Sequence, residues 1–83
     1  MPVFMLEILA PDRTVFSGRV ASVTARAIDG EVQILAGHAP YVNVLASGSI
    51  KVRTEDNGDV DLHGNGGIIE VARDKTSLLV FTS

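Results

Sequence analysis

The sequence has 83 residues, 46% of them hydrophobic and 20% charged, with a formal net charge of −3 and no cysteine. That length allows one domain with one core, and the composition is too apolar for a disordered chain. A mildly acidic chain with scattered Lys and Arg is a poor nucleic-acid binder, and without Cys there is neither a disulfide framework nor a thiolate metal centre.

The opening Met1-Pro2-Val3-Phe4-Met5-Leu6-Glu7 has no basic n-region and meets a charge early, so no secretory signal is expected. From Val3 to Ala10, Phe4, Leu6 and Ile8 fall on one face of a predicted strand and Met5 and Leu9 on the other. Turn signals then recur at short intervals: Pro11-Asp12, Ser17-Gly18, Asp29-Gly30, Gly37 with Pro40, Ser47-Gly48, Asn57-Gly58, Gly64 to Gly67 and Asp74-Lys75. No interval carries an average helix of about 11 residues with a 3.6-residue period.

Ser49 to Thr54 alternates, predicting Ile50 and Val52 inward and Lys51 and Arg53 outward. Asn57-Gly58 supplies the positive φ of a tight hairpin, and Val60 and Leu62 continue the inward face on the return strand. Leu78-Leu79-Val80-Phe81 has no polar face, so one side meets a second sheet or a partner. Short antiparallel strands at this spacing predict an all-β fold, a small antiparallel sandwich or flattened barrel of about 8–10 strands over residues 1–83. No apolar run approaches the ~20 residues that cross a bilayer, so no direct membrane insertion is expected.

The chemistry-bearing residues are sparse. His38 and His63 have no carboxylate at ligand spacing and no activated Ser or Cys nearby, so no metal and no catalytic residue is expected. The simplest role for His38 is an imidazole hydrogen bond that fixes the turn before Pro40. Gly64-Asn65-Gly66-Gly67 leads into a strand, not a helix, which predicts a bulge or close backbone approach and no phosphate or other cofactor site. Glu55, Asp56, Asp59 and Asp61 lack calcium-loop spacing and read as a solvated hairpin tip.

Several motifs occur together and in order. Pro11-Asp12-Arg13 leads to Phe16-Ser17-Gly18, followed by the apolar pair Val20 and Val23, Asp29-Gly30-Glu31, Gly37-His38-Ala39-Pro40, Leu45-x-x-Gly48 and Gly66-Gly67-x-x-Glu70-Val71. The chain ends on an apolar strand, Ser77 to Phe81. This series resembles the N-terminal β-domain of the epsilon subunit of F-type ATP synthases. It departs from the family at Arg26-Ala27-Ile28, where a Gly usually precedes the acidic turn, and at Val32 to Ala36, where a Gly and a Pro are usual.

The resemblance implies a non-catalytic rotor subunit of the central stalk, seated between the gamma subunit and the c-ring. The complex would translocate protons or sodium ions, and the chain would lie peripherally on the cytoplasmic face of a bacterial inner membrane, with the thylakoid stroma side or the mitochondrial matrix as the alternatives. Asp29, Gly30 and Glu31 become candidates for facing the c-ring, and His38, Ala39, Pro40 and Tyr41 for facing gamma. Met5, Leu9, Leu35, Tyr41, Leu78 and Val80 form the pool for apolar partner contacts. The two-helix hairpin that follows this domain in the family lies outside the sequence, as expected for either a naturally short member or a shortened chain. Two rivals remain: a stand-alone β-sandwich binding module, disfavoured by one Tyr, three Phe and no Trp, and a small hydrolase, which lacks a nucleophile.

Overall fold

A computed structural model describes residues 2–82. It contains six strands among these residues: β1 (Phe4–Ala10), β2 (Arg13–Ala27), β3 (Gly30–Leu35), β4 (Tyr41–Thr54), β5 (Asp59–Val71) and β6 (Lys75–Val80). Their order is β1-β6-β5-β4-β2-β3, and an added β1–β2 pairing closes the first five into a barrel. All pairings are antiparallel except β1 with β6. Closure removes most free edges, and β3 lies outside the ring against β2.

The all-β sandwich expected from the sequence is present, with fewer and longer strands than the 8–10 anticipated. Three signals that read as turns lie inside strands. Gly18 is paired with Leu6, Gly48 with Gly64, and Gly67 with both Leu45 and Val80. Each of the long strands β2, β4 and β5 serves two sets of partners. β2 pairs with β1 through residues 13–20 and with β3 through residues 22–27. Against β4 its register slips between Val20 and Ser22, which inserts Ala21 as a bulge. That extra residue lets Val20 and Val23 both face the core despite odd spacing; each is fully buried. In β5, Gly66 and Gly67 take φ of 99° and 150°, and the strand turns there from pairing with the second half of β4 to pairing with its first half and with β6.

The core is aliphatic. Leu6, Ile8, Val20, Val23, Ile34, Ile50, Val52, Ile69, Leu78 and Val80 fill it, with Phe4, Tyr41, Val60 and Leu62 packed at its margins. Ile50 and Val52 point in and stand opposite Leu62 and Val60, as the alternation predicted.

The β4–β5 connection is longer than a two-residue turn. Asn57 alone takes positive φ, at 70°. The Asn57 amide donates to Thr54 O at 3.1 Å, and the Gly58 amide donates to Thr54 Oγ1 at 3.0 Å. The Thr54 hydroxyl donates to Asp56 Oδ1 at 2.5 Å. That bond, seconded by the amides of Gly58 and of Asp56 itself, holds the Asp56 carboxyl below its ordinary value of 3.8. A depressed folded-state value means that this contribution to stability is present above the ordinary value and is lost as pH falls through the depressed one. Titration by NMR should therefore place Asp56 below the ordinary aspartate range, and Thr54→Val should raise it. An ordinary value in the unsubstituted chain would contradict the hydrogen-bond assignment.

Candidate partner-binding surface

Two turns bracket the site. The β2–β3 turn is Ile28-Asp29, followed by Gly30 at φ 130°, a conformation that β-carbon-bearing residues rarely adopt. The β3–β4 connection is Ala36 to Pro40, where Gly37 takes φ 82° and the His38 amide closes the turn on Leu35 O at 3.2 Å. His38 Nδ1 lies 2.7 Å from Ala39 O. A carbonyl only accepts, so Nδ1 carries the proton and donates. The turn-fixing bond expected of His38 is thus present. His38, Ala39 and Pro40 are all exposed.

The two turns meet. Asn43 Nδ2 donates to Asp29 Oδ1 at 3.0 Å and to the Tyr41 hydroxyl at 2.6 Å. The Tyr41 ring in turn lies edge-on to the His38 ring, with centroids 5.7 Å apart and planes at 68°. A chain of contacts therefore runs Asp29–Asn43–Tyr41–His38, across what the sequence presents as separate motifs. Glu31 stays out of it. It lies opposite Arg26 across the β2–β3 pairing and borders a shallow groove with Arg26, Ser49 and Lys51. Glu31 has no ion-pair partner among the described residues.

A second feature is an apolar row on the outside of the barrel. Val44 stands opposite Ile68, Ile68 opposite Leu79, and Leu79 opposite Leu9, so four strands present these side chains on one outer face. Val44 and Ile68 are each 48% exposed, Leu79 is 41% and neighbouring Val42 is 68%. Leu9 is half-buried. Two members of the expected contact pool do not belong here: Leu78 and Val80 are 0% and 2% exposed and fill the core. Pairing sets their parity, because β6 adds to β5 with Leu78 opposite the buried Ile69. Val42, Val44, Ile68 and Leu79 were missing from that pool. Among the described residues no three His, Asp or Glu side chains converge in metal-ligand geometry, and no helix is long and apolar enough to cross a membrane.

A closed five-strand barrel with β3 beside it thus carries two adjoining exposed turns and an outward apolar row. Residues 3–82 match the family model described as ATP synthase, Delta/Epsilon chain, beta-sandwich domain. The chain belongs to that family. It is 42% identical over 74 residues to the ATP synthase epsilon chain of Streptomyces griseus subsp. griseus, covering 89% of this chain and 60% of that one. The epsilon chain of Micrococcus luteus is 40% identical over 70 residues, covering 84% of this chain and 77% of that one. This chain thus spans about three-fifths of the Streptomyces relative. Among solved structures, a chain of the Euglena gracilis mitochondrial ATP synthase OSCP/F1/c-ring assembly superposes with a TM-score of 0.90 at 26% identity, covering 99% of this chain and 53% of that chain. A chain of the Tetrahymena thermophila central stalk and c-ring superposes with a TM-score of 0.79 at 21% identity, a likeness of fold, covering 95% of this chain and 63% of that one.

Proposed function

We propose that this domain is a non-catalytic rotor element of the central stalk of an F-type ATP synthase, joining the gamma subunit to the c-ring. It couples proton or sodium-ion flow to ATP synthesis performed by other chains. The observation that carries this reading is the outward apolar row Val44–Ile68–Leu79–Leu9, on a domain whose relatives are epsilon chains. Contiguous exposed apolar surface on a small domain marks a contact with another protein, and a stable contact buries about 800 Å² per partner.

In this reading the row and the turn His38 to Tyr41 meet gamma. Asp29, Gly30 and Glu31 meet the polar loops of the c-ring, where Glu31 acts as a rim charge. The domain sits peripherally at the cytoplasmic face of a bacterial inner membrane, held there through the ring. Rim charges tune on-rate and register, and exposed pairs contribute about 0–1 kcal/mol.

Titration calorimetry of the 83-residue chain with isolated gamma should give saturable one-to-one binding. His38→Ala should weaken it roughly three- to tenfold, and Glu31→Ala should leave it nearly unchanged while modestly weakening assembly onto the ring. Unchanged gamma affinity in His38→Ala would remove His38 from the interface.

A further inference from the structure

We infer that Asn43 is a positioning residue that couples the two turns, so that a partner held at the Asp29 turn fixes the geometry presented by His38 and Tyr41. The inference rests on the reading above that both turns carry partner contacts.

Asn43 occupies an unusual place for an amide. Tyr41, Asn43 and Leu45 share the inward side of β4, and Asn43 stands opposite Ile69, which is fully buried. Alternation calls for an aliphatic side chain there. Asn43 is half-buried there, and even a partly desolvated amide costs free energy unless its donors and acceptor are used. Both Nδ2 hydrogens are used, one on Asp29 and one on Tyr41, and Oδ1 accepts from the Val44 amide at 2.7 Å. The orientation is fixed by chemistry: the Asp29 carboxylate only accepts, so the nitrogen must face it.

One planar group therefore holds both turns. Moving Asp29 pulls on the amide, and the amide carries the Tyr41 hydroxyl. Because the Tyr41 ring rests edge-on against His38, the displacement reaches the imidazole. The backbone gives a second tether on the same side, since the Ile28 amide donates to Val44 O at 3.0 Å. That tether is independent of the Asn43 side chain, so replacing Asn43 leaves the turns attached while removing the link between Asp29 and Tyr41.

The test has a partner-free arm and a binding arm. In the isolated chain, Asp29→Ala should shift the NMR signals of the His38 and Tyr41 rings. In an Asn43→Val background, which suits the inward apolar side, the same substitution should leave those rings unmoved. Tyr41→Phe, which breaks the other joint, should likewise silence the His38 shift. In the binding arm, Asp29→Ala should weaken gamma binding roughly two- to fivefold in the unsubstituted chain and have no further effect when Asn43 is Val. Ring shifts that persist in Asn43→Val, or are absent from the start, overturn the coupling. Failure of gamma to bind any form sinks the functional reading alone, because the ring shifts still decide whether Asn43 couples the turns.

Discussion

Gly67→Ala should destabilise the domain by about 3–5 kcal/mol, measured by chemical denaturation. Two costs add at this position. Gly67 takes φ 150°, which strains any residue with a Cβ. The larger cost is steric. A Cβ built at Gly67 would lie against the Leu79 carbonyl oxygen inside any permitted contact distance, 2.9 Å from its carbon and 3.0 Å from Val80 Cα. These are backbone atoms of β6, so relief requires moving a strand that pairs with both β5 and β1. A domain of this size has roughly 4–12 kcal/mol of total stability, so the substitution takes away a large part of it.

Gly66→Ala is the control. Gly66 also has positive φ, at 99°, yet its Cβ would meet only Leu45 O at an ordinary 3.6 Å. It should cost about 1–2 kcal/mol from backbone strain alone. Equal losses at the two positions would mean that the close approach to β6 relaxes freely and that strain dominates.

Gly67 also illustrates how far the sequence could be read. The run Gly64 to Gly67 predicts a bulge or close backbone approach, and the close approach occurs, at Gly67 against β6. What the run does not reveal is that the strand continues through it. Glycine permits a turn, a bend within a strand and a tight crossing alike, and only the partner strands decide among them. The same holds at Gly48, whose missing Cβ makes room for the Arg26 stem: a Cβ there would sit 3.1 Å from Arg26 Cδ. Gly18 lies under the Phe16 ring, 3.7 Å from where its Cβ would be. Gly48 and Gly67 thus record neighbours that are distant in sequence, whereas Gly18 records one on its own strand.

Strands with one polar face were legible, because alternation alone orients Ile50, Val52, Val60 and Leu62. Strands apolar on both faces were not. Shifting parity by one residue exchanges the faces of such a strand without changing its pattern, so Leu78 and Leu79 are indistinguishable until β6 is set against β5. The candidate partner-binding surface divides in the same way. Asp29, Gly30 and His38 announce themselves as turn residues. Asn43 gives only a faint signal, a polar side chain on the side of β4 that Leu45 places in the core. That the two turns touch through it depends on closure of the barrel, a long-range property.

Leu78 and Leu79 therefore give the sharpest separation of fold from function. Leu78→Ala should cost about 2–5 kcal/mol of stability, the usual range for emptying a fully buried leucine site. Leu79→Glu should cost only about 1 kcal/mol, because its side chain already borders solvent and a carboxylate there stays hydrated. Its effect on gamma binding should be far larger, a loss of roughly 30-fold or more. Leu79 lies mid-row between Ile68 and Leu9, and the centre of an apolar contact is where truncation costs most. A charge at that point would be desolvated on docking with no partner, which adds to the lost contact area. Ile68→Glu tests the neighbouring position and should behave alike. Calorimetry with gamma and denaturation of the free chain read the two effects separately. If both glutamate variants bind gamma as the unsubstituted chain does while remaining folded, the outward row is not the gamma contact, and the burden shifts to the turn from His38 to Tyr41.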